Sequence, residues 1–364
     1  MNFVKLSGLV CAAALVWSAQ VFAADWQAGA PPEWKQLIEA AKKEGPVVVA
    51  ASPEFGKPLA EAFERDTGLK MDFLGGAYNE LEARFVREAR AGNETVDIYF
   101  GGGTSINYVK EGIIEPIGPM LMLPSVKDPK NWRDGKLKFE DEAGVNLLIP
   151  NEYIHGWPLF DSNVIKPGMV ESWQDLLKPE WKGKIAAYDP TVPGPGTAVA
   201  SFLAHMFGID YVKKLYDGQD VKISRNPRQL VEWVARGTYP VALAALATHI
   251  EAFKKEGVTN LLVPVMKDAP GTLLGGSSLP LTAKGTPHPN ATKVFINWYA
   301  SQPGQQVFTD TWATPSRRID VVPNGVPEYV IPKPGLDYFD QYTESFYMGD
   351  RPKIIKAITD TLGR

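Results

Sequence analysis

From Pro46 to Ile106 the chain alternates short apolar runs with amphipathic stretches, and this order leaves few architectures open. Pro46-Val-Val-Val-Ala-Ala51 is β-branched and apolar throughout, the pattern of a strand buried on both faces. Leu59, Ala62 and Phe63 then mark a helix that stops at Thr67-Gly68. Leu69, Met71 and Phe73 alternate as a second strand, closed by Gly75-Gly76. Tyr78, Leu81, Phe85 and Ala89 recur at helical spacing as far as Gly92. Val96-Asp-Ile-Tyr-Phe100 reads as a third strand, broken by Gly101-Gly102-Gly103, and a helix starts after Thr104-Ser105. A β-α-β-α-β-α order predicts a parallel sheet with helices on both faces. A further helix precedes it over Pro32 to Lys43, with Trp34, Leu37, Ile38 and Ala41 on one side.

The second half repeats the architecture without repeating the sequence. Asn151 to Val164 is extended and suits a crossing between lobes. Ser172 caps a short helix through Leu177, Lys184 to Tyr188 is a strand, and Thr197 opens a helix through Phe207. Asn226 to Arg236 and Thr248 to Glu256 are helices around a strand from Pro240 to Leu246. Leu261 to Met266 and Leu279 to Thr282 are further strands, and Pro289 to Phe308 reads as one long helix. The tail from Pro323 to Tyr347, rich in Pro and Tyr, packs against a lobe before a last helix near Lys353 to Leu362. The expectation is an α/β protein of two lobes joined by extended crossings.

The first residues bear on compartment. Lys5, the apolar stretch Leu6 to Ala19 and Val21-Phe22-Ala23 match a secretory leader cleaved near residue 23. Cys11, the single cysteine, falls within it, so the mature chain needs no disulfide. About 340 remaining residues suffice for two cores. Loss of Lys5 with the leader moves the formal net charge from −4 to −5, which argues against a nucleic-acid groove.

Two segments carry a family resemblance. Ser172-Trp-Gln-Asp-Leu-Leu-Lys-Pro-Glu-Trp-Lys-Gly-Lys-Ile185 and Pro287-His-Pro-Asn-Ala-Thr-Lys-Val-Phe-Ile-Asn-Trp298, the latter continuing to Ser301-Gln-Pro-Gly-Gln305, resemble solute-binding proteins related to the bacterial ferric-ion binders. Asp97-Ile-Tyr-Phe-Gly-Gly-Gly103 sits where that family carries an aspartate-led strand end. The resemblance implies the type II periplasmic binding-protein fold, two lobes with a hinge, and a small-molecule solute handed to an ABC permease in the inner membrane. It implies a periplasmic monomer without cofactor. The lobes would comprise 24–152 plus 270–318 and 153–269 plus 319–364. Ferric binders carry adjacent tyrosines after a strand resembling Pro240-Val-Ala-Leu-Ala244; here Ala245-Leu-Ala-Thr-His249 follows. The four histidines, His155, His205, His249 and His288, show no metal-ligand spacing. A bound metal is therefore not expected, although a ferric ion or metal chelate stays an alternative. So does a secreted enzyme, against which stands the lack of Gly-x-Ser-x-Gly, His-Glu-x-x-His or P-loop patterns.

In open α/β sheets ligands bind beyond the carboxyl ends of strands. Candidate contacts there are Ser52, Phe55, Gly76, Tyr78, Gly102 and Thr104 in the first lobe, and Tyr188, Gly196, Thr197 and Thr248 in the second. Ser277 lies near the crossing back, and Trp312 adds an aromatic wall. Glycines let backbone approach, hydroxyls hydrogen-bond, and helix N-termini favour oxyanions. Arg317, with Arg318 and Arg225, would supply a guanidinium for a carboxylate or phosphonate. Glu54 could pair with a cationic group. The run Glu140-Asp-Glu142 reads as a solvated loop.

Overall fold

A computed structural model describes residues 25–276 and 278–363. The leader and Ser277 lie outside the described residues. No helix among those described is long and apolar enough to cross a membrane.

The first lobe grows from the alternation at the start of the chain. Strands β1 (Val47–Ala51), β2 (Met71–Gly75) and β3 (Ile98–Gly101) are separated by α2 (Gly56–Thr67) and α3 (Tyr78–Ala91). They pair in parallel, in the order β2-β1-β3. A later strand, β11 (Leu279–Leu281), adds antiparallel to β3. Helix α1 (Glu33–Glu44) buries Trp34, Leu37 and Ala41 on this sheet's outer core, and α4 (Ile106–Glu111) follows β3. A single turn, α5 (Pro124–Lys127), completes the first run.

The second lobe is a five-stranded mixed sheet. Its strands are β5 (Pro158–Asp161), β6 (Ile185–Tyr188), β7 (Lys222–Ser224), β8 (Val241–Leu243) and β9 (Leu261–Leu262), ordered β7-β6-β8-β5-β9. Helices α6 (Pro195–Phe207), α7 (Ile209–Lys213), α8 (Pro227–Ala235) and α9 (Ala247–Lys255) cover it. Its core includes Trp173, Trp181, Phe202 and Leu243.

Between the two sheets lies a third, made where the chain passes from one core to the other. β4 (Tyr153–His155) and β10 (Thr272–Leu274) pair antiparallel, and β12 (Phe339–Asp340) lies parallel to β10. Three separate crossings thus share one ladder, in the place of a hinge between lobes. His155 is buried in this ladder, and burial pushes its imidazole down to about 4, so it is neutral at pH 7.

Three expectations need correction. Pro289 to Phe308 is not one helix but two, α10 (Pro289–Tyr299) and α11 (Gln302–Trp312). Pro303 cannot continue the ladder of α10 and starts a new helix instead. Gly304 also sits where a Cβ would lie 2.1 Å from the Trp298 carbonyl oxygen. The run Glu140-Asp-Glu142 is not solvated at its start, since Glu140 and Asp141 are buried. Asp141 caps its own loop, accepting from the backbone N–H groups of Val145, Asn146 and Leu147. The strand at Leu261 is only two residues long.

The tail touches both cores. Tyr342 and Tyr347 pack on the first-lobe cluster, whereas Ile354, Ile358 and Leu362 of α12 (Arg351–Leu362) pack on the second.

Candidate functional site

At the carboxyl ends of β1, β2 and β3 a cavity of about 270 Å³ opens, lined by Ser52, Phe55, Gly76, Tyr78, Tyr99 and Trp312 among others. Parallel strands put their following loops on the same edge, which is why sequence-distant residues meet here. Phe55 is itself buried, stacked on Phe308 at 4.9 Å and edge-on to Trp312 at 4.8 Å, so it forms the rear wall from within the core. Tyr78 begins α3 and stands 37% exposed over the cavity. Burial of its oxygen pushes the phenol up, leaving it protonated and able to donate.

Gly102 and Thr104 adjoin this cavity through Tyr78. Tyr78 Oη lies 3.5 Å from Thr104 Oγ1, and Thr104 donates to Glu82 Oε1 at 2.6 Å. Tyr108 donates to the same carboxylate oxygen at 2.6 Å. A Cβ on Gly102 would come 3.2 Å from Tyr78 Oη, 3.3 Å from the Gly276 carbonyl oxygen and 3.8 Å from Tyr342 Oη. Gly276 in turn faces the ring of Tyr153. Ser52 donates to Glu54 at 2.5 Å, which occupies one of that carboxylate's lone pairs.

In the second lobe Tyr188, Gly196 and Thr197 gather on the loop between β6 and α6. Gly196 admits no side chain, since a Cβ would lie 2.3 Å from the Asp189 carbonyl oxygen. Thr197 is buried, and its single hydroxyl proton lies between the Pro190 and Val192 carbonyl oxygens. Its oxygen therefore braces the loop rather than facing solvent. Asp189 accepts from Thr191 and from Arg225 at 2.9 Å. Burial opposes its ionisation, but these partners outweigh it and hold the carboxyl below its ordinary range. Thr248 is exposed in the first turn of α9. Just before it Ala244 takes a left-handed φ of 63°, a conformation costing a non-glycine residue about 1 kcal/mol.

Arg317, expected to offer its guanidinium to an anion, has internal partners instead. It is buried, and its guanidinium donates to Glu152 at 2.5 Å and to the Arg133 carbonyl at 3.1 Å. Glu152 also takes Arg133 and Lys138. Burial opposes its ionisation, but Lys138, Arg317 and Arg133 outweigh that and hold the carboxyl low. Arg318 is likewise spent, on Asp320 and on the Ser125 and Ala300 carbonyls. Both arginines are buried and join segments of the first lobe.

The histidines are dispersed. His288 Nδ1 lies 2.8 Å from Asp97, which also accepts from the backbone of Val48 and His288. His205 stacks on Phe339 at 4.0 Å. Among the described residues no group of three or more His, Cys, Asp and Glu is placed to hold a metal ion.

Two α/β lobes, a three-stranded crossing ladder and loop-built sites at strand ends define the architecture of a two-lobed binding protein. The chain belongs to the bacterial extracellular solute-binding protein family, whose model matches residues 58–325. An uncharacterized protein of Haemophilus influenzae is 25% identical over 263 residues, spanning 68% of this chain and 70% of its own. Among solved structures the fold matches the Trichodesmium protein IdiA (FutA) in complex with iron and citrate ligands, at TM-score 0.65 and 16% identity, over 87% of this chain and 99% of that one. It also matches the periplasmic binding protein AfuA of Actinobacillus pleuropneumoniae with fructose-6-phosphate bound, at TM-score 0.62 and 18% identity, over 88% and 99%. An ABC transporter protein of Clostridium perfringens gives TM-score 0.66 at 17% identity, over 86% and 99%.

Proposed function

We propose that the chain is the exported, periplasmic solute receptor of an ABC importer, catching a small organic solute between its lobes by hinge closure. The observation that carries this reading is the shared ladder of β4, β10 and β12, through which three crossings connect two lobes that each offer loops at strand ends. A solute held by both halves favours the closed form, and moving from 1% to 99% closed takes about 5.5 kcal/mol of differential binding. Hydrogen bonds from both sides can supply that. Binding and hand-over to a permease, rather than catalysis, is the task. Small-angle X-ray scattering of the mature protein with and without its co-purifying solute tests it. The radius of gyration falls on binding; a solute that binds without compaction removes the closure mechanism.

A further inference from the structure

The cleft edge of the first lobe has a definite hydrogen-bonding polarity. Thr104 commits its hydroxyl proton to Glu82, so the lone pairs of Thr104 Oγ1 are what remain for a further partner. The Gly276 carbonyl oxygen, near Gly102, is another acceptor. An anion brings no donor to such groups and is repelled by them. The cavity beside them is lined by uncharged residues alone, with Tyr78, Phe55 and Trp312 giving aromatic surface. On the first lobe Arg317 and Lys138 bind Glu152 and Lys110 binds Glu344, while Arg351 of α12 lies over the Tyr347 ring. An anionic solute drawn from water into these surroundings would lack a counter-charge, and the nearby carboxylates of Glu54 and Glu82 already accept from Ser52 and from Thr104 and Tyr108. The start of α3 offers backbone N–H groups, and these serve a neutral oxygen as well.

The tail adds a residue to this edge. Residues 339–347 form a strap, held on the second lobe by Phe339 against His205 and by Gln341 donating to the Ala198 carbonyl. On the first lobe the Glu344 N–H donates to the Glu140 carbonyl at 3.0 Å, and Glu344 pairs with Lys110. Between these anchors Tyr342 is laid against Gly102, Gly103 and Gly275, with its hydroxyl on the Tyr78 side of Gly102. Tyr78, Tyr153 and Tyr342 thus converge on two glycine turns at the mouth of the crossing.

We propose that this edge recognises an uncharged, hydroxyl-bearing organic solute of the sugar or polyol class, and that Tyr342 of the tail is one of its contact residues. This rests on the solute-receptor reading above. Phenols donate to and accept from hydroxyls, Thr104 and Gly276 accept, and the aromatic faces pack on C–H groups. The strap contacts both lobes, so a solute touching Tyr342 is linked to both.

The test is isothermal titration of the mature protein with a panel of neutral sugars and polyols (including glucose, mannitol and myo-inositol), set beside citrate, fructose 6-phosphate, putrescine and ferric citrate. A neutral member binds and the charged ones do not. Tyr342→Phe and Tyr78→Phe, which keep the rings and their packing, each weaken that binding about tenfold, the loss of one hydrogen bond. Unchanged unfolding midpoints show that both variants fold. Binding confined to charged probes, or full affinity in both variants, overturns the proposal. Charged-only binding with compaction in scattering would leave the solute-receptor reading intact. A protein that binds no probe and yields no co-purifying solute would take both down.

Discussion

Glu140→Gln should stabilise the protein at neutral and alkaline pH and leave it nearly unchanged near pH 4.5. Glu140 is 2% exposed, and neither carboxyl oxygen has a hydrogen-bond partner. Burial first, then the charges of Asp340, Asp141 and Glu344, push its carboxyl up to about 9, against a lesser pull from Lys138. An unfolded glutamate titrates near 4.5. Between these values the folded chain keeps a proton that the unfolded chain releases. The stability associated with that proton is fully present below pH 4.5 and is lost as pH rises toward 9. At pH 7 the cost is about 3 kcal/mol, at about 1.4 kcal/mol for each of 2.5 pH units. Glutamine has the same shape and no proton to lose, so the variant escapes this cost while keeping the packing. Chemical unfolding of both proteins at pH 5, 7 and 9 measures it, and their difference cancels groups that titrate in both. The gap should be under about 1 kcal/mol at pH 5 and reach about 3 kcal/mol at pH 7. A gap that stays constant from pH 5 to 9 would refute the buried, protonated state.

Glu152→Ala leaves Arg317, itself buried, without its carboxylate, and should cost about 3–5 kcal/mol in an unfolding titration. Gly196→Ala drives a Cβ against the Asp189 and Tyr188 carbonyls and should cost about 2–3 kcal/mol, read as a lowered melting temperature. Ser172→Ala removes one half of the capping box formed with Asp175 and should cost about 1 kcal/mol in the same assay.

The first-lobe sheet was legible because its elements are local. The strands from Val47 to Gly101 are short and rich in apolar residues, β1 stopping at Ser52-Pro53 and β2 and β3 at glycines, and each helix shows its own period. The family segments were legible for a related reason, and the structure shows that they are joints of the fold. Trp173 is buried and donates to the Ala269 carbonyl, Ser172 and Asp175 cap each other, and Glu44 accepts from the backbone of Asn290 and Ala291. Such contacts favour a recognisable sequence pattern without touching a solute. The cavity residues Ser52, Phe55, Gly76 and Tyr78 could be found because strand ends are where parallel sheets place their loops. Tyr153 and Tyr342 could not, since nothing local says that a tail near the C-terminus returns to Gly102. The tyrosine-rich composition of the tail was the only signal.

The arginines mislead for a reason that also bears on the ligand. A guanidinium is as good at joining buried carbonyls and carboxylates within a lobe as at gripping an anion, and sequence shows only its presence. Here Glu152, among the first residues of the crossing, draws in Arg133, Lys138 and Arg317 from three separate segments. Lys138 also reaches Asp340 on the strap. The positive charge that seemed available for an oxyanion is therefore invested in fixing the crossing relative to the first lobe. A hinge needs that fixity at its base, because closure driven from a cleft is transmitted only if the strands leaving the lobe do not shift within it. The same allocation that steadies the crossing leaves the cleft edge to phenols, hydroxyls and backbone, which is the ground for proposing a preference for hydroxyl groups over anionic ones.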